Sequence, residues 1–410
     1  MMRLTLIGLL TLVGAAALAD SGGRMYGKIT TTDGDQFRGL IRWDRNEPGW
    51  VDQLNGEKVI PSENLKSTDR ERSDRKRTRV RIFGIELGDR NFDFEGGDIS
   101  AASSIRFGHI KKLIAGRDDD VQLILKSGDT VELTNGSTDF GSGMRELIIE
   151  DEKEGETELG WEDIEEVEFL PSPANATSEF GERMYGTLTT RRGDEFTGFV
   201  AWDLDECLAN DVIEGEDHGR NRKIKFGRIA SIQRYSASGA QIKLESGEEL
   251  VLKGTNDVDN SNRGIAISDP ALGEVVVDWH EFDQLALKPA PKSVTYGDFD
   301  GGRALRGTVE TDDGDTIRGE IRWDQDETRT WEMLDGNVRN VRCRVEFGMI
   351  HKIERDSYRG AIVTLWDGRR IELRDSNDVD DSNKGISIIQ PGKKDVYVDW
   401  DNFRSVEFAK

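Results

Sequence analysis

Cysteine is nearly absent from this chain. Cys207 and Cys343 are the only two, and they stand at non-equivalent places, so no disulfide framework organises the fold; spacing alone does not decide whether they pair. Histidine is scarce as well, with four in all, His109, His218, His280 and His351. None lies in a Ser/His/Asp, Cys/His, HExxH or phosphate-loop pattern, so surface positions are the expectation and no catalytic residue is assigned. Basic residues are outnumbered 56 to 80, a formal charge of −24, which disfavours nucleic acid and anionic membranes as partners. Long apolar runs are missing after the first, Leu4 to Leu18, which follows Met1-Met2-Arg3 and ends at Ala17-Leu18-Ala19. That run is shorter than the roughly 20 residues of a bilayer span. It reads as a secretory signal peptide over residues 1–19. The expectation is a bacterial protein exported to the periplasm or beyond, without membrane insertion after cleavage.

What is present is repetition. RMYGKITTTDGDQFRGLIRWD from Arg24 returns as RMYGTLTTRRGDEFTGFVAWD from Arg183 and RALRGTVETDDGDTIRGEIRWD from Arg303. Trp43, Trp202 and Trp323 each follow Gly27, Gly186 and Gly307 by the same interval, and a Phe-Gly pair recurs at Phe107, Phe226 and Phe347. The interval from Trp to Phe is longer in the first copy, which predicts an insertion over 62–101. The copies span 20–170, 183–288 and 303–410, with Pro-containing linkers at 171–182 and 289–302.

A finer duplication lies inside each copy. Ile224, Phe226, Ile229 and Ile232 share their spacing with Val277, Trp279, Phe282 and Leu285, and both sets recur in the other copies. Period-two alternation, as in Phe37, Gly39, Ile41 and Trp43, predicts strands with one buried face. Ser127-Gly128-Asp129 and its counterparts predict hairpin turns. The class is all-β. The template of strand, one helical turn and strand resembles SH3-like and Sm-like small barrels, which implies three tandem pairs of barrels, six related units; a six-bladed propeller is the alternative.

Candidate sites are few. NDVDNSNRGI from Asn256 and NDVDDSNKGI from Asn377 place Asp257, Asp259, Asp378 and Asp380 at the alternate spacing used by Ca²⁺ loops. They lack the glycine and terminal acid of an EF-hand, the first copy reads NGSTDFGSG instead, and an Asx-rich turn is the competing reading. Ca²⁺ is the only cofactor this suggests. Six of nine tryptophans fit core positions, whereas Trp50, Trp331 and Trp366 fall in loops or at an outward place and are candidates for contact with protein or polysaccharide, with packing across a barrel seam the favoured competing reading. Trp-Asp-x-x-Glu recurs at Trp43, Trp202 and Trp323. The insertion carries a basic stretch from Asp69, and Asn175 heads a glycosylation sequon. The functional expectation is a non-enzymatic exported protein presenting loops to a protein or polysaccharide. The alternatives are a Ca²⁺-dependent adhesive module and a carbohydrate-active enzyme.

Overall fold

A computed structural model describes residues 23–60, 81–82, 85–86, 99–116, 119–134, 138–173, 176, 178–290 and 294–410. The expected signal peptide, most of the insertion with its basic stretch, and Asn175 lie outside the described residues.

The chain is all-β, and each copy supplies ten strands in one order, with two further strands in the insertion of copy one. Copy one gives β1 (Met25–Thr31), β2 (Gln36–Arg42), β3 (Gln53–Ile60), β4 (Arg81–Ile82) and β5 (Ile85–Glu86) within its insertion, β6 (Ile99–Arg106), β7 (Ile110–Ala115), β8 (Val121–Leu125), β9 (Thr130–Leu133), β10 (Leu147–Asp151), β11 (Gly155–Leu159) and β12 (Ile164–Phe169). Copy two gives β13 (Tyr185–Thr190), β14 (Glu195–Ala201), β15 (Val212–Asp217), β16 (Arg220–Lys225), β17 (Ile229–Ser236), β18 (Gly239–Leu244), β19 (Glu249–Lys253), β20 (Ile265–Asp269), β21 (Gly273–Val277) and β22 (Phe282–Leu287). Copy three gives β23 (Arg306–Thr311), β24 (Thr316–Arg322), β25 (Met333–Val338), β26 (Val341–Glu346), β27 (Ile350–Ser357), β28 (Gly360–Leu365), β29 (Arg370–Arg374), β30 (Ile386–Ile389), β31 (Val396–Val398) and β32 (Phe403–Phe408).

In space copy two runs β16-β15-β19-β18-β17-β22-β13-β14-β20-β21, all antiparallel, and copy three repeats that order with its own strands. Copy one does the same, except that β3 and β6 form a separate ladder tied to β9 by the Glu57–Thr134 bridge. Strands of both halves alternate in one open run, and no ladder among the described strands closes it. The insertion grows from the tip of the β3–β6 hairpin, whose ladder continues to Ile60 opposite Ile99. Ile99 to Ala101, assigned to the insertion from sequence, are therefore part of strand β6.

The finer duplication appears as strand, 3-10 turn, strand at Phe107–His109, Phe226–Arg228 and Phe347–Met349. Ile224, Phe226, Ile229 and Ile232 are buried, as are Val277, Trp279, Phe282 and Leu285. The apolar spacing puts these side chains on one face because strand residues alternate and the turn re-phases them. At Gly128, Gly247 and Gly368 φ is +93°, +86° and +90°, the left-handed region the turns require. Gly39 serves a different need, since a Cβ there would stand 1.8 Å from the Glu150 carbonyl oxygen of β10.

Copies two and three share one hydrophobic core, and copy one has its own. A continuous ladder joins the first pair, β21 to β26, with Glu274 opposite Arg344. Copy one is fixed by buried ions. Three equivalent acids, Asp52, Asp211 and Glu332, each accept backbone N–H groups of the loop after the tryptophan. Each also meets a cation from another copy: Arg183 on Asp52, Arg42 on Asp211 at 3.0 Å, and Lys58 on Glu332. The segment before copy three, expected as a plain linker, packs Tyr296 and Phe299 into copy one's core. Tyr296 Oη donates to the Ile110 carbonyl at 2.9 Å.

Candidate functional site

The repeated carboxylates gather at one turn in each copy. After the core tryptophan the chain reverses sharply, so that Trp43, Trp202 and Trp323 bridge to Glu47, Glu206 and Glu327. The reversal needs positive φ at Asp44 (42°), Asp203 (53°) and Asp324 (43°). Aspartate tolerates that conformation because its short side chain bonds locally. Here Asp44 accepts the Arg145 backbone N–H at 2.7 Å, Asp203 that of Arg263 at 2.5 Å, and Asp324 that of Lys384. The side chains of the same three cations pair with the same carboxylates.

The tryptophan indoles close the opposite side. They donate to the backbone oxygens of Asp139 at 2.6 Å, Asp257 at 2.8 Å and Asp378 at 2.9 Å. The carboxylates of these aspartates accept the N–H groups of Asn55, Glu214 and Asp335 at 2.7, 2.6 and 2.6 Å. Copy one, whose loop differs in sequence, thus keeps the same lock through Asp139.

Asp257 and Asp378 are buried in this lock, whereas Asp259 and Asp380 are half-buried and close their own turns, accepting from Ser261 N and Ser382 N at 2.8 Å each. The alternate aspartates are therefore used one at a time. Among the described residues no group of three His, Cys, Asp or Glu side chains is placed to hold a metal ion.

Between the two aspartates of each lock sits a glutamate with a buried oxygen that has no hydrogen-bond partner: Oε2 of Glu47, Glu206 and Glu327. Burial, with Asp257 and Asp205 adding repulsion, pushes the Glu206 carboxyl up to about 9. Burial raises Asp257 to about 6 against the pull of the Glu214 N–H. Glu47, Glu327 and Asp378 move the same way, each first because of burial and then because of neighbouring acids. An ionised carboxylate without partners is costly in such a place, so burial favours the neutral form of these glutamates.

Of the tryptophans taken as contact residues, two are interior. Trp50 is 0% exposed and lies tilted against Tyr296 with ring centroids 4.6 Å apart, and Trp331 is 3% exposed within copy one's core. The contact role offered for them is corrected in favour of packing: both are buried where copies meet, and sequence within one copy does not show what another copy covers. Trp366 is half-buried, its ring 4.5 Å from that of His351. His109, expected at the surface, is buried against Phe299, with Nδ1 accepting the Gly301 N–H at 3.2 Å. Cys207 and Cys343 are both free and buried.

Among the described residues, a broad groove of about 750 Å³ lies on copy two, at the β15–β16 hairpin tip and the β18–β19 sheet. Tyr235, 59% exposed, stands in it beside His218, Gln241, Glu249 and Lys253. Lys253 Nζ lies 5.7 Å from the ring centroid. Comparison with protein-family models, with curated proteins and with solved structures gives no match.

Proposed function

We propose that this is an exported, non-enzymatic binding protein whose repeated β units form a scaffold for a polysaccharide or protein partner. Each copy is read as a pair of small SH3-like units left open, each drawing strands from both halves, on the strength of the strand, 3-10 turn and strand template. The observation that carries the binding reading is the copy-two groove. An exposed tyrosine ring flanked by a carboxamide, carboxylates and a lysine is the combination that engages sugar rings and peptide backbones, through stacking and planar hydrogen bonds. Asp257 and Asp378, which look most like a repeated Ca²⁺ motif, are engaged in loop locking, which favours the binding reading over the Ca²⁺ one. Polysaccharide is the partner favoured by the groove's polar lining.

The test is a glycan array followed by calorimetric titration with the wild type and Tyr235→Ala. Retention of a polysaccharide class with at least tenfold weaker binding by the variant supports the reading. No glycan or protein retained from the exported fraction, or binding indifferent to Tyr235, overturns it.

A further inference from the structure

The copies are related by one internal junction that is made once and left open once. Between copies two and three, β21 pairs with β26: Gly273 faces Val345, Glu274 faces Arg344 and Val275 faces Cys343. Arg344 lies 3.8 Å from Glu274 across the junction and 3.8 Å from Asp335 on its own hairpin. The counterparts one copy earlier are β11 and β16. They do not pair. Among the described residues, β11 has β10 as its only ladder partner and β16 has β15. Copies one and two are held instead by Arg183 on Asp52 and Arg42 on Asp211.

These two open edges carry opposite charge. Strand β16 reads RNRKIK and is exposed apart from Ile224, a basic edge on a chain of net charge −24. Strand β11 reads GETEL, with Glu156 and Glu158 exposed. Lys223 pairs with Glu214 at 2.5 Å on its own hairpin, as Arg344 does with Asp335. What Lys223 lacks is the partner Arg344 finds in Glu274, and the residue equivalent to Glu274 is Glu156. An unpaired edge is a template for another strand.

The geometry points to a head-to-tail assembly in which the acidic β11 of one molecule adds to the basic β16 of a second copy of this chain. The register is that of the internal junction: Gly155 opposite Ile224, Glu156 opposite Lys223 and Thr157 opposite Arg222. This stands independently of the copy-two groove.

The test is sedimentation velocity across a concentration series at low and high salt, on the wild type, Glu156→Lys, Lys223→Glu and an equimolar mixture of the two variants. The expected result is a concentration-dependent higher species for the wild type, weakened by salt and lost in each single variant. It returns in the mixture, where one ladder regains its native pair and the other is charge-swapped. Thermal melts, with Lys223→Gln as a milder variant, confirm that the single variants stay folded. A monomer at every concentration and salt, or an assembly unchanged by either reversal, overturns the inference. So does failure of the mixture to associate.

Discussion

The Trp202 indole N–H donates to the backbone oxygen of Asp257 at 2.8 Å, and the Asp257 carboxylate in turn accepts the Glu214 N–H at 2.6 Å. The two bonds tie a strand end, a loop and a hairpin into one piece. Trp202 is also in edge contact with Trp279 at 6.1 Å and Phe282 at 5.3 Å. Replacing Trp279 or Trp400 by alanine is expected to cost about 3 to 5 kcal/mol, the range for buried aromatic truncations. Chemical denaturation measures it. A loss below about 1 kcal/mol contradicts their core assignment.

Asp257→Ala removes the acceptor of the Glu214 N–H and leaves that donor unpaired, at an expected cost of about 1 to 3 kcal/mol. Asp257→Asn keeps an acceptor and removes a buried charge, so near-neutral stability at pH 8 is expected. Equal losses for both variants in the same denaturation series argue for a charge-dependent role, and a stabilising response to millimolar Ca²⁺ that disappears in Asp257→Asn restores the metal reading.

The raised carboxylates set the sign of the pH dependence. The folded chain keeps protons on Glu206, Glu47, Glu327, Asp257 and Asp378 at pH values where the unfolded chain has released them. Their contribution is complete below the ordinary carboxylate range and is lost as pH rises through about 6 for Asp257 and about 9 for Glu206. Glu346, held low despite burial by Arg106 and His109, acts oppositely and loses its contribution as pH falls. Melting temperature is therefore expected to decline from pH 6 to pH 9, and Glu206→Gln to flatten that decline. Each unit of displacement corresponds to about 1.4 kcal/mol. A stability that rises toward pH 9 contradicts the assignment.

Burial raises the Cys207 thiol and pushes Cys343 up to about 12. A thiol reagent at pH 8 is expected to find no reactive group in the native protein and two after denaturation. Fast native labelling contradicts the burial, and no labelling after denaturation indicates a disulfide.

The repeats, the strand faces and the hairpin turns were legible because each rests on spacing along one segment, such as Ile224, Phe226, Ile229 and Ile232. The lock was not. It depends on Asp139 lying under Trp43 although the two are far apart in the chain, and copy one's loop spells that contact differently. For the junctions between copies a usable signal was present in the acid nine residues after each tryptophan, Asp52, Asp211 and Glu332, which sequence reading passed over. The burial of Trp50 and Trp331 follows from contacts between copies, which periodicity within a copy does not encode. Barrel closure was also overread, since the template fixes a strand pair but not which strand lies at its far edge.

The most direct measurement of the central claim, that the repeated acids form inward, proton-holding locks, is a carbon-13 carboxyl titration by NMR with glutamate labelled, Glu206→Gln supplying the assignment. The account predicts a Glu206 midpoint near 9, far above the ordinary glutamate value of about 4.3. A midpoint in that ordinary range would show a solvated, ionised side chain and contradict the lock.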